Sequence, residues 1–267
     1  MAAMSLEAGA GPAQRPFPPI PMQRVVTVEL RKMFDTRAGF WLLASIGITA
    51  LLAMAAVIAF APADVQTYET YATAIGAPVA IILPMIALLA VTSEWSQRSG
   101  LTTFTLVPGR GRVIVAKAVA TLLVAVAAML LCIGFGVAGN LVGSALSGTT
   151  LSWEALSLAM SLNGILAGSV NMAIGFMLGV LIRSSPGAIV AYFVYTLVLP
   201  GAFGALASVQ EWFRDVQPWI DLNLANTRLY DEQMTPEHWA QLGVTAVLWL
   251  VLPLVVGLFL VRRSEVK

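Results

Sequence analysis

Six long apolar runs, separated by short polar or turn-forming stretches, organise the chain: residues 40–61, 72–92, 118–141, 155–182, 188–207 and 240–261. Each is long enough, at about 20 residues, to cross the hydrocarbon core of a bilayer as a helix. Backbone groups in lipid must be satisfied within the segment, so runs spaced like these are helices. Ahead of them, residues 22–37 change pattern. Met22, Val25, Val26, Leu30, Met33 and Phe34 fall on one helical face, and Arg24, Thr27, Arg31 and Asp35 on the other. This predicts an amphipathic helix lying in the membrane interface. Glu29 intrudes on its apolar side; a contact with a partner protein and snorkelling to water both account for it.

A second amphipathic element is predicted between the fifth and sixth runs. Trp212, Phe213, Val216, Trp219 and Ile220 recur at helical spacing with Glu211, Arg214 and Asp215 between them. An aromatic belt anchoring the last span explains Trp212, Phe213 and Trp219, as does a gate over a path through the bundle. The fourth run is longer than a crossing needs and is expected to tilt or protrude. Within it Gly164, Gly168, Gly175 and Gly179 form two small-xxx-small pairs that predict close helix contact. The fold class is therefore all-α integral membrane. It comprises residues 1–21 as a disordered tail, 22–37 as the interfacial helix, 38–261 as a six-helix membrane domain with an external amphipathic helix before the last span, and 262–267 as a second tail.

Composition agrees with the pattern. Of 267 residues 58% are hydrophobic and 11% charged, against about 25% charged in a soluble domain. The net charge of +1 gives no support for nucleic-acid binding. A single cysteine, Cys132, sits inside an apolar run as a small filler and allows neither an intrachain disulfide nor a cysteine metal site. His238, the only histidine, lies beside Trp239 and reads as an interfacial residue. Charge placement fixes an expected orientation. With the N-terminus inside, thirteen of the fifteen Lys and Arg residues fall on the cytoplasmic side and only Arg214 and Arg228 outside. That is the positive-inside bias. The acids from Asp64 to Glu237 in the opposite loops are assigned to the exterior, with both termini cytoplasmic.

The longest basic interruption on the inner side is 93–117. It carries Arg98, Arg110, Arg112 and Lys117 against Glu94, and its turn pairs Ser99-Gly100 and Pro108-Gly109 bracket the short stretch 101–107. An ordinary positive loop explains the charge; a surface on which another protein pushes explains the charge and the bracket together. Catalysis within the membrane is excluded on chemistry. The spans hold no acid or histidine beyond Glu94 at a boundary, and so no nucleophile-base pair, carboxylate pair or metal set. Nor is there a Gly-x-x-x-x-Gly-Lys-Ser/Thr pattern: Gly109 and Gly111 lead only to Lys117, at the wrong spacing. Asn163, Asn171 and Thr196 are polar points within spans that bond between helices or line a path.

The order Glu94, Gly100, Leu101, Thr102, Thr103, Leu106, Pro108, Gly109, Arg110 and Lys117 after the second span, with Glu29, Leu30, Arg31 and Lys32 ahead of Arg37, resembles the ABC-2 type permease subunits of ABC transporters. The resemblance covers about residues 22–261, and Leu101 departs from it by separating Gly100 from Thr102. It implies an exporter permease in the cell membrane, not itself an enzyme. Such a subunit pairs with a second permease, often an identical copy forming a homodimer, and with two copies of a separate ABC ATPase. ATP and magnesium would belong to that partner, and this chain would bind no cofactor. Glu29, Arg31, Lys32, Glu94, Arg98, Leu101, Thr102, Thr103, Leu106, Pro108, Arg110 and Lys117 would form the ATPase-coupling surface. Apolar walls point to a hydrophobic cargo such as a drug or lipid. The competing class is a six-span scaffold or assembly factor that recruits a partner through the same loop and transports nothing. A passive channel fits less well, because few polar residues lie within the spans.

Overall fold

The computed structural model describes residues 20–96, 110–153, 156–230 and 234–263, and among these it is helical without strands. Helix α1 (Met22–Asp35) leads to α2 (Arg37–Phe60), α3 (Tyr68–Ser96), α4 (Arg110–Ser147) and α5 (Leu158–Ile182). The fifth crossing joins α6 (Ser185–Phe193) to α7 (Leu199–Val209). Then come two short helices, α8 (Glu211–Ile220) and α9 (Leu222–Thr227), and a last crossing made of α10 (Pro236–Ala246) and α11 (Leu252–Arg263). Six helical stretches are long and apolar enough to cross a membrane.

The third crossing departs from expectation. Its apolar run predicts residues 118–141, but the membrane-competent stretch is Gly111–Ser147, 37 residues, about 55 Å at 1.5 Å per residue. It thus overshoots a hydrocarbon core of about 30 Å. No proline lies between Arg110 and Ser147 to stop it, and Asn140, near the end of the predicted run, is buried and donates to the Ser152 carbonyl at 2.9 Å. The fourth crossing, expected to be the long one, starts at Leu158 and holds 25 residues.

Helices α3 and α5 form the centre. The apolar windows of these two are 44% and 56% buried, against 11%, 6% and 17% for the first, fifth and sixth crossings. Those three therefore form the exposed periphery of the bundle. The centre depends on one close approach: a Cβ at Gly175 would lie 2.2 Å from the Pro84 carbonyl oxygen, and one at Gly179 would lie 3.0 Å from Val91 Cβ. Small residues let the two backbones approach until dispersion contacts replace side-chain spacing. The small-xxx-small pattern of α5 is thus used at its second pair. Gly168 faces Met129, and Gly164 is only in ordinary contact with Tyr230 and Met129.

Both outer crossings near the C-terminal part of the chain contain a widened π turn, Val194–Val198 and Val247–Val251, each followed by a Leu-Pro pair. The cause is local. Pro200 and Pro253 lack an N–H and their rings crowd the carbonyl four residues back. Shifting to i→i+5 bonds, seen as Leu199 N to Val194 O and Leu252 N to Val247 O, relieves the clash without breaking the helix. In such a turn the donor for the Tyr195 carbonyl would be residue 200, a proline. The Asn223 amide donates there instead, at 3.2 Å. Trp249 packs its ring 5.7 Å from that of Tyr195 and donates Nε1–H to the Ile220 carbonyl at 2.6 Å. The α8–α9 hairpin is thereby fastened alongside the two crossings, with its tip at the level of their π turns.

Replacing Gly175 by Val is expected to destabilise the protein by about 3 kcal/mol, the upper part of the range for forced overpacking. Gly134→Val, where a Cβ meets nothing within 4 Å, is expected to stay near native. Thermal unfolding midpoints of the two variants in neutral detergent check the contrast.

Candidate functional site

Helix α1 buries Val25, Glu29 and Met33, positions four apart that form one stripe along the helix. Val26 and Leu30 flank the stripe and pack on the core of α2, α3 and α4, whereas Phe34, expected on the apolar face, is 53% exposed. The acid therefore sits on the axis of the buried face. At that point α4 presents Lys117. Its Nζ donates to Glu29 Oε2 at 2.5 Å and to the Ala90 carbonyl of α3 at 3.2 Å. Lys32 Nζ donates to the other carboxylate oxygen, Oε1, at 2.7 Å.

Glu29 and Lys117 are 3% and 6% exposed. Removing either charge from water alone would cost several kcal/mol, and the pairing offsets that only because each carboxylate oxygen has its own ammonium. Of the two sequence readings of Glu29, snorkelling to water does not hold, because its carboxylate is buried against Lys117, which is itself buried. The two residues are internal tie points that fasten α1 to α4 and, through Ala90, to α3. Lys32, with 43% of its side chain exposed, carries the network out to the surface.

Two further contacts tighten the same end of the molecule. Arg112 donates to the Ile20 carbonyl at 2.5 Å, holding the start of α1 against the first turn of α4. Ser185 donates to Thr92 Oγ1 at 2.7 Å, joining the start of α6 to the last turns of α3, and Thr92 in turn donates to the Leu88 carbonyl at 3.0 Å. The described ends of α3 and α4 are thus bound to α1 and α6 on either side of residues 97–109. Of the other predicted coupling residues, Arg31 is exposed on α1. Glu94 and Arg110 lie in the ends of α3 and α4, their side chains outside the described set, and Arg98, Leu101, Thr102, Thr103, Leu106 and Pro108 lie outside the described residues.

At the opposite end Trp212 and Trp219 are 63% and 37% exposed. Phe213 is instead buried, its ring 5.6 Å from those of Phe203 and Trp212. It is a packing residue of the hairpin rather than a surface gate. Asn163, Asn171 and Thr196 are half-buried, and the structure does not gather them into one place: the first two are two turns apart on α5 and the third lies in the π turn of the fifth crossing.

Asp221, assigned by the sequence to the exterior side, has a structural role that was not foreseen: it is 2% exposed at the hairpin tip, where Oδ1 accepts the Leu224 N–H and Oδ2 accepts the Gln217 amide, both at 3.1 Å. An Asp just before a short apolar helical segment is an N-cap signal, and that signal was available in the sequence.

Comparison of the chain with models of protein families and with curated proteins finds no match.

A double-mutant cycle isolates the central contact. Glu29→Leu and Lys117→Met are each expected to lower stability by about 3 kcal/mol, because the first takes the carboxylate from the buried Lys117 ammonium and the second leaves the buried Glu29 carboxylate with Lys32 alone. The double variant Glu29→Leu with Lys117→Met is expected to lose clearly less than the sum. Thermal unfolding in detergent at constant pH checks this.

Proposed function

We propose that the chain is a permease subunit of an ATP-driven exporter of the ABC-2 type, coupled at its α1 end to a separate ATPase and working as a dimer in the cytoplasmic membrane. The observation that carries this reading is the Glu29–Lys117 contact at 2.5 Å. It makes α1 one mechanical unit with the ends of α3 and α4, the two helices that flank residues 97–109 within the basic stretch 93–117. A partner that moves α1 or that segment moves two crossings at once, because packed helices shift as rigid elements. Lys117–Ala90 and Ser185–Thr92 extend the same unit to the centre and the fifth crossing.

In this reading the energy source is a separate ATPase; residues 1–267 contain no phosphate-binding loop of the Walker type. The positive-inside bias supports a cytoplasmic α1 end, with its exposed Arg31 and Lys32 on the side where ATP is present. The cargo would be hydrophobic, drawn from or delivered to the bilayer. Asn163, Asn171 and Thr196 then serve helix packing rather than an aqueous pore.

Purification of the tagged chain from its native membrane in mild detergent is expected to recover a stoichiometric Walker-containing ATPase with ATP hydrolysis. Arg31→Glu is expected to reduce that recovery severalfold while leaving the chain itself monodisperse. Recovery of the native chain without any ATPase contradicts the proposal.

A further inference from the structure

At the end opposite α1 lies a cavity of about 440 Å³, within the range of small-molecule sites. It is enclosed by the first half of α3, the middle of α4, the start of α5 and Tyr230. Along α3 it runs from Tyr68 to Ala80, about 18 Å at helical rise, so it reaches from one surface toward the middle of the bundle.

Absent side chains make the space. A Cβ at Gly76 would meet nothing within 4 Å, and one at Gly164, on the facing wall, would only touch Tyr230 at 3.9 Å. Neither glycine is there for helix contact, unlike Gly175. The walls are mostly apolar, with Cys132 and the rings of Tyr68 and Tyr230 among them. Among the described lining residues Glu69 is the one charged side chain, placed in the first turn of α3 and exposed at the rim.

That combination discriminates between ligands. An anionic amphiphile would bring its charge against the Glu69 carboxylate with no lining cation to offset it. A neutral one would leave the carboxylate unused. A cation with an apolar body satisfies both features: the body fills the space left by Gly76 and Gly164, and the charge meets Glu69 with aromatic faces nearby. We infer that this cavity binds a lipophilic cation, its apolar body between α3, α4 and α5 and its positive charge at Glu69. The inference concerns binding alone and does not require the chain to be a permease.

The test uses the full chain in phosphatidylcholine nanodiscs and equilibrium dialysis against radiolabelled tetraphenylphosphonium, with empty nanodiscs subtracted. Tetraphenylborate, an anion of the same shape, is the control. Saturable binding of one tetraphenylphosphonium per chain is expected, with no saturable tetraphenylborate binding. Glu69→Gln is expected to weaken binding about fivefold, the scale of one partly solvated ion pair. Gly76→Leu and Gly164→Val, from facing walls, are each expected to abolish it; both are checked for native elution and unfolding temperature, and either one suffices if the other misfolds. Partitioning without saturation, equal binding of the anion, or native affinity in the natively folded glycine variants or in Glu69→Gln overturns the inference.

Discussion

A carboxylate at the centre of an apolar helix face must find a partner before the helix can dock, and here the partner is Lys117. The contact decides where α1 lies, because no other register of the helix brings Glu29 to that ammonium while keeping Val25 and Met33 on the core. It also decides what α1 is attached to. Lys117 sits two turns into α4 and reaches the Ala90 carbonyl of α3 at 3.2 Å, so one side chain joins three helices. A hydrophobic residue pair of equal volume would hold α1 as firmly or more so. What the ion pair adds is register: a helix that slides or rotates by one residue strands two buried charges.

From that fixed corner the bundle divides into a rigid centre and a looser periphery. Gly175 against Pro84 brings α3 and α5 into backbone contact, and such an interface has little freedom to adjust gradually. The first, fifth and sixth crossings bury a smaller share of their apolar windows than α3 and α5 do. Two of them carry a proline-induced π turn, and both turns are held by the α8–α9 hairpin through Asn223 and Trp249. The corner at α1 and the hairpin at the other end thus act on different helices. Forces entering at α1 reach α3 and α4 directly and reach the fifth crossing through the Ser185–Thr92 bond.

The six crossings and the helical 22–35 segment were legible because apolar runs of membrane length and a 3.6-residue period are strong local signals. The small-residue pairs of α5 announced a close contact, though not that Pro84 would be opposite. The length of α4 beyond 141 was hidden because Ser144 looks like a loop residue until the fold buries it. The meaning of Glu29 was hidden for a different reason. Its partner lies 88 residues away, and one sequence shows that an acid breaks a pattern without showing what answers it. The burial of Phe213 and Asp221 was hidden similarly: periodicity gave the helix that carries Phe213, but only the fold-back of the hairpin decides which side chains are inside. The cavity had no sequence signal at all, since Gly76 and Gly164 look the same as the glycines that serve packing.

The central claim is that α1 belongs to the folded body of the protein through Glu29 and Lys117. Hydrogen–deuterium exchange of the native chain and of Lys117→Met, read peptide by peptide, tests it most directly. Amides of 28–33 are expected to exchange slowly in the native chain, and the substitution to accelerate them selectively while α5 keeps its protection. Fast exchange of 28–33 in the native chain, or protection there that the substitution leaves unchanged, would contradict it.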